Sequence, residues 1–331
     1  LAAVFRRHAA VPLHLPPLWL KQIAPATSDE TAYMLDQSGA LFGLHAGGRA
    51  PLITYLAVHP PLATFKRYSF SHALRRGAAA AAPMQELLLA DFDVVGAPGT
   101  AASATARAAT EAELIKVAHE ACVATGLPVG PAAVGALLQI GHRHVGPALL
   151  AISGVPPGEP RRALLGALSR CAARRLDEWE ACAAKLPRGS CPDSAAAGVR
   201  RYFFHAWRPA DLPKLRALLE QHRHVDADER EAALAGVAEV EAALEAASAL
   251  GVPPDAVQVE PRLWLPDEEF PCGVQVQLAS ANYGALARAG RYDATLAARG
   301  LGERRAAGLT VYVNRLQAAA EMARAAARCA G

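Results

Sequence analysis

The sequence predicts an α+β fold: an antiparallel sheet flanked by helices and interrupted by a long, mostly helical insertion. Three observations carry this. Phe65–Gly96 reads as two apolar-rich strands around a low-complexity tip, Ala78–Ala82. Strand patterning returns between Val257 and Val313, and almost every segment from Glu159 to Leu250 has helical periodicity. With 331 residues, 52% of them hydrophobic, the chain can bury a sizeable core. The expected divisions are a first part of the core over 1–96, a helical insertion over 97–256, and a second part of the core over 257–331.

In chain order, short strands are expected at Ala32–Leu35 and Ala40–Leu44, separated by the turn Gln37–Ser38–Gly39, with a short helix over Pro51–Val58. After the hairpin, the Ala/Ser/Thr/Gly-rich stretch Ala97–Thr110 reads as a loop. A helix over Glu111–Gly126 follows, with Thr110 and Glu113 as a capping box and Leu114, Val117, Ala118, Ala121 and Cys122 on one face. Leu137–Gly141 reads as a strand, followed by a helix to about Ser153. Helices are then expected over Pro160–Lys185, Ala210–His222 and Ala227–Leu250, with turns at Pro187–Cys191 and Gly251–Pro254. Asp228 and Glu229 suit the N-terminus of the last of these helices. Strands over Val257–Leu265, Gly273–Ala279 and Thr310–Val313 and a terminal helix over Leu316–Cys329 complete the chain.

Composition excludes some classes of function. The net charge of +3 does not force a nucleic-acid reading. The positive charge comes instead in dibasic pairs such as Lys66–Arg67, Arg75–Arg76 and Arg304–Arg305, which can guide a polyanion locally. Six scattered cysteines form no metal-binding spacing and no disulfide framework, which fits a cytoplasmic protein. No apolar run is long enough to span a membrane, and the N-terminus has no signal-peptide arrangement. His142 and His144 read as a polar strand end rather than metal ligands, and His222 and His224 as a solvated helix end.

The hairpin carries the chemistry. Its first strand begins with Lys66–Arg67 and ends with Arg75–Arg76, and its second carries Glu86, Asp91 and Asp93. Arginine forks grip phosphate oxygens bidentately, so paired arginines beside a carboxylate suit a nucleotide or an RNA phosphate. This hairpin resembles motif 2 of a class II aminoacyl-tRNA synthetase of the histidyl type. Val4–Leu20 resembles the end of motif 1, with Pro16 at its proline, and Tyr33–Ala57 resembles the segment before motif 2. Leu286–Leu296 resembles the family's GRYD loop, and Gly308–Leu316 resembles motif 3 with Arg315 at its arginine. The resemblance implies a vestigial nucleotide- or tRNA-binding set of Arg75, Arg76, Glu86, Arg291, Tyr292 and Arg315, with Lys66 and Arg67 as further RNA contacts.

Departures from the family pattern imply that ligase activity is lost. Gly77 replaces an acidic residue, Gln85 an arginine and Leu89 a glutamine. Tyr312 stands where motif 3 keeps a glycine for the adenine ring. GRAP at Gly48–Pro51 replaces the threonine- or glutamate-containing segment near the amino-acid carbonyl. No histidine-binding RGLDYY segment lies between Val257 and Leu286, although Arg262 is present there. The combination of Gly48–Ala57, Phe65–Gly77, Glu86–Gly96 and Leu137–Pro156 resembles the synthetase-like domain of the general amino-acid control kinases. Those kinases act on translation initiation factor 2 alpha during amino-acid starvation.

That resemblance implies a regulatory domain with no catalytic residue, metal or cofactor of its own, which binds uncharged tRNA and forms a homodimer. Its linked, ATP-using Ser/Thr kinase would precede Leu1, since neither an H-R-D loop nor a D-F-G motif occurs here. The rival readings are an active ATP-dependent histidine–tRNA ligase and a dimerisation or interaction module that ignores tRNA.

Overall fold

The computed structural model describes residues 1–16, 18–20, 32–44, 47–59, 64–75, 85–96, 103–130, 135–170, 193–222, 225–265 and 269–330. The elements before the hairpin are α1 (Ala2–Arg7), β1 (Val11–Pro12), β2 (Leu18–Leu20), β3 (Ala32–Leu35), β4 (Leu41–Leu44) and α2 (Arg49–Val58). The hairpin is β5 (Phe65–Arg75) and β6 (Gln85–Val95), followed by α3 (Ala104–Thr125) and β7 (Ala136–His142). The helical stretch holds α4 (Val145–Ile152), α5 (Glu159–Arg170), α6 (Asp193–Phe203), α7 (Leu212–Gln221) and α8 (Ala227–Ala249). The last part holds β8 (Val257–Val259), β9 (Cys272–Ser280), β10 (Gly284–Arg291), α9 (Asp293–Ala297), β11 (Ala306–Tyr312) and α10 (Val313–Ala330).

Among the described residues, the main sheet has the order β1-β5-β6-β11-β10-β9-β7-β8, and a small sheet has the order β2-β4-β3. The two edge pairs of the main sheet are parallel and the rest antiparallel. Strands from both ends of the chain interleave, because β11, β10 and β9 insert between β6 and β7.

Side chains alternate between the two faces of a strand, so register sorts the main sheet into an apolar and a polar side. The row Tyr68–Phe92–Leu309–Ala289–Val276–Ile140 runs across six strands, and all six residues join the main core. α1, α3 and α10 supply Phe5, Leu114, Ile115, Ala118 and Leu316 to that core. Offset by one residue, the row Ser69–Asp91–Thr310–Arg288–Gln277–Gln139 lies on the opposite face and is polar at every position.

Several boundaries differ from expectation. The helix predicted from Glu111 begins seven residues earlier, at Ala104, where Ser103 accepts from the Ala106 N–H at 3.1 Å. Thr110 is therefore inside α3 and donates to the Ala106 carbonyl rather than capping. The C-terminal end is as expected: Gly126 closes α3 in the left-handed region (φ 73°). The stretch expected as helical insertion, 97–256, is crossed by β7, which pairs with β9 inside the main sheet, and α3 packs on that sheet.

The strand expected over Val257–Leu265 stops at Val259, since Pro261 has no N–H for a ladder and Glu260 bonds locally to Arg262. GRYD is a strand end rather than a loop: Gly290 and Arg291 finish β10, and Asp293 opens α9. α6 lies in a region whose general helical pattern was read without a separate element there. The hairpin tip, the continuation of the Pro160 helix beyond Arg170, and His224 lie outside the described residues. No helix among the described residues is long and apolar enough to cross a membrane.

The Ser103 cap generates a direct test. Ser103→Ala is expected to destabilise the fold by about 1 kcal/mol, whereas Thr110→Ala, inside the helix, should be neutral or slightly stabilising. Urea denaturation of the two variants compares them directly.

Candidate functional site

The polar face of the sheet holds a buried ionic network next to the start of α2. Arg67 of β5 and Asp93 of β6 are direct cross-strand partners, with side chains 1% and 0% exposed. Arg67 Nη2 donates to the Gly48 carbonyl at 3.0 Å and lies 2.8 Å from Asp93 Oδ2, an ionic contact without hydrogen-bond geometry. Arg67 Nη1 donates to Ser69 Oγ at 2.9 Å. Asp91, two residues along β6, accepts from Thr310 Oγ1 at 2.6 Å and from the Gly48 N–H at 3.2 Å. Burial pushes the Asp91 carboxyl upward in pKa, opposed by the Arg67 charge.

Arg49, the first residue of α2, runs into this network. Its Nη2 donates to Thr310 Oγ1 at 3.2 Å and its Nε lies 3.7 Å from Asp93 Oδ1. Its guanidinium lies over the Phe270 ring at 4.3 Å and the Tyr292 ring at 5.1 Å. Burial is the largest single influence and lowers its pKa, yet Asp93, Tyr292, Asp91 and Glu269 together outweigh it and the net shift is upward. Tyr292 donates to Asp93 Oδ1 at 3.0 Å, and burial followed by the Asp93 charge holds its phenol well above the usual range. Two arginines thus face two aspartates in a pocket whose ring walls favour a cation.

Glycines make the close approach possible. A Cβ at Gly48 would overlap the Asp91 carboxylate, and one at Gly308 would overlap that of Asp93. A Cβ at Gly290 would press against Phe270, at 3.0 Å from its Cβ.

A second plug lies farther along the same face. Tyr312 and Leu89 are cross-strand partners and pack with Ala73 and Ala285 into a small apolar cluster, with Tyr312 2% exposed. Arg315 covers the Tyr312 ring at 4.8 Å and donates to the Ala285 carbonyl at 3.2 Å. A recess on this face, bordered by His14, Gly47, Ser69 and His72, has a volume of about 50 Å³, room for a few waters.

The site residues named from sequence divide accordingly. Tyr292 enters the buried network and Arg315 braces Tyr312. Arg67 is a buried structural cation and cannot reach an RNA phosphate, a correction that follows from its place opposite Asp93. Lys66, on the opposite face and 31% exposed, pairs with Glu113 at 2.5 Å. Glu86 is exposed and pairs with His72 at 2.8 Å. The Arg75 backbone pairs with Gln85, and Arg76 lies outside the described residues. Arg262 is held by Glu260, with Nε–Oε1 3.0 Å and Nη2–Oε2 2.8 Å, so it does not reach the ionic network. His142 ends β7, as read from the sequence, and is buried against Glu239 at 3.2 Å.

Arg291 points away from Tyr292, to the helix-covered face. It chelates Asp293, with Nε–Oδ2 at 2.9 Å, while Asp293 Oδ1 accepts from the Ala306 N–H at 2.8 Å. Its Nη1 lies 4.0 Å from Glu111 Oε1. Glu111 is 2% exposed and that oxygen has no hydrogen-bond partner. Burial, only partly opposed by Arg291, pushes the Glu111 carboxyl up to about 8.

Sequence reasoning did not assign a role to Arg49 or pair Asp93 with Arg67. The signal was present in the hairpin: polar Arg67, Ser69 and Ser71 alternate with apolar neighbours, as do Asp91 and Asp93. Only the register shows that these two polar sets coincide.

Two predictions follow from these geometries. Asp93→Ala leaves Arg67 and Arg49 without their shared counter-charge and should cost about 3–5 kcal/mol in chemical denaturation. Glu111 has a folded-state pKa raised above its unfolded value, so the folded state binds the extra proton. Its contribution is unpenalised below about pH 4.5 and is lost progressively as pH rises toward about 8. Glu111→Gln should flatten that part of the stability–pH curve.

Comparison with known proteins places this arrangement in a family. The family model described as histidyl-tRNA synthetase matches residues 99–316, well over half of the chain. Over 114 residues, 34% of the chain, the sequence is 37% identical to eIF-2-alpha kinase GCN2 of Arabidopsis thaliana, and that match spans 8% of the kinase's length. Among solved structures, an ATP phosphoribosyltransferase regulatory subunit/histidyl-tRNA synthetase from Bacillus halodurans superposes with a TM-score of 0.72 at 17% identity, covering 96% of this chain and 76% of that one. A histidine–tRNA ligase subunit from Alicyclobacillus acidocaldarius gives 0.71 at 17% identity, covering 97% and 90%. Identities this low establish the fold alone. The model match, the mixed helix-flanked sheet and the ordered motif 2, GRYD and motif 3 strands agree, and the chain belongs to the histidyl-tRNA synthetase family.

Proposed function

We propose that this chain is a catalytically silent histidyl-tRNA synthetase-like regulatory domain that binds uncharged tRNA and controls a linked Ser/Thr kinase acting on translation initiation factor 2 alpha. One observation carries the loss of catalysis. The guanidinium of Arg49, on the GRAP segment, fills the polar face between Asp93, Phe270 and Tyr292. Adenylate formation needs an amino acid and a nucleotide on that face, and the face is already neutralised by the protein's own charges. Tyr312 and Leu89 close its far end to a base ring. The similarity to a kinase acting on eIF-2-alpha supports the regulatory side of this reading.

In this reading, tRNA acts by differential affinity: it binds better to the arrangement in which the kinase is active and shifts that population. No metal or cofactor serves this segment, and ATP belongs to the kinase. The kinase domain and a second copy of the chain are its protein partners, in the cytoplasm.

The test is binding of charged and uncharged tRNA over a salt series, with parallel ATP–pyrophosphate exchange. Expected is a preference for uncharged tRNA, indifference to histidine and ATP, and a loss of affinity of about tenfold or more between roughly 50 and 200 mM salt. Histidine-dependent exchange would overturn the silent reading in favour of a ligase. A folded protein that ignores tRNA at low salt would leave an interaction module as the better account.

A further inference from the structure

The helix-covered side of the sheet holds a cavity of about 250 Å³ that the synthetase-like reading does not use. It opens where β5 begins, β6 ends and the first turn of α3 passes over the sheet. Val94, Ala306 and Ala307 line it with apolar surface. Arg107 of α3, Arg291 of β10 and Arg305, just before β11, line it from three separate elements, with Arg305 Nη1 donating to the Gly302 carbonyl at 3.2 Å.

We propose that this cavity is a binding site for a small organic anion: a carboxylate, sulfate or phosphate head group on a compact apolar body. Arginine recognises such head groups because its planar donors match their oxygens. The apolar lining suits the body, and the volume falls just below the range of drug-sized pockets, which points to a small molecule. The cavity faces away from the polar side closed by Arg49 and Tyr312, so the inference stands independently of tRNA binding.

The local charge favours an anion. Asp293, which also borders the cavity, is engaged by Arg291 and by the Ala306 N–H. Glu239 lies 3.8 Å from Arg107 and bonds His142. Glu111 sits behind Arg291 with one oxygen unbonded, facing Arg291, Glu239, Arg107 and Asp293. While Glu111 is protonated, the three arginines outnumber Asp293 and Glu239. Ionisation of Glu111 adds a negative charge beside Arg291 and weakens the hold on an anion.

The experiment titrates the whole chain with sulfate and with benzenesulfonate at constant ionic strength in chloride, using calorimetry and thermal shift. Neither probe titrates between pH 7 and 9. Expected is saturable binding, tighter for benzenesulfonate because its ring covers the apolar lining. Arg107→Ala and Arg305→Ala should each weaken binding by about tenfold, as for loss of a charge-assisted hydrogen bond. Both arginines are at least partly exposed, so these variants should keep the fold, which circular dichroism verifies. Wild-type affinity should drop from pH 7 to pH 9 and that of Glu111→Gln should not. Absence of saturable binding by either probe, or binding undiminished in both arginine variants, would overturn the site. A pH-independent wild-type affinity would remove Glu111 from it.

Discussion

The contact between Arg67 and Asp93 is the constraint on which the rest of this structure depends. A charge taken out of water needs a partner and further hydrogen bonds, and here each partner recruits others. Arg67 fixes the Gly48 carbonyl, so α2 starts where it does. Asp93 engages Arg49 and Tyr292, so the first residue of α2 and the residue after β10 meet over it. Because Gly48 and Gly308 lie against the two aspartates, a methyl group at either position would displace the carboxylate it touches. Sequence, backbone path and charge balance are coupled at one place.

That coupling joins the two ends of the chain. Arg49 reaches Thr310 and Asp93 reaches Tyr292 across 261 and 199 positions of sequence. Strands β10 and β11 enter the sheet beside β6 for the same reason that the network closes: only with both present do Asp91 and Asp93 find Thr310 and Tyr292. Among the described residues, the helices between these segments contribute to the shared apolar core and add no ligand to the ionic network.

One sheet therefore carries two distinct surfaces. Its apolar side is covered by helices except near the first turn of α3, where arginines surround a small cavity. Among the described residues, its polar side carries Arg49 and Tyr292 against Asp93, and Tyr312 against Leu89. There the Arg49 cation, covalently part of the protein, is held by a carboxylate and two aromatic rings.

Much of the fold was legible in the sequence because local signals dominate there. β3 and β4 flank a turn whose Gly39 needs a positive φ, and α3 ends at Gly126 for the same reason. β7, α7 and α8 follow plain periodicity. Ser103 was missed because an Ala/Ser/Thr-rich stretch offers several equivalent caps and only packing selects one. β8 was overextended because an apolar run does not reveal that Glu260 turns back on Arg262. The motif order identified the class of fold, and the replacements at Arg49, Leu89 and Tyr312 marked where it departs from the family's motifs.

Where those replacements go was decided by tertiary structure alone. Nothing local makes Arg67 buried, Lys66 half-exposed or Arg291 face away from Tyr292. Those outcomes depend on strand register and on partners on other elements, Asp93, Glu113 and Glu111, and a charge is buried only where such partners converge.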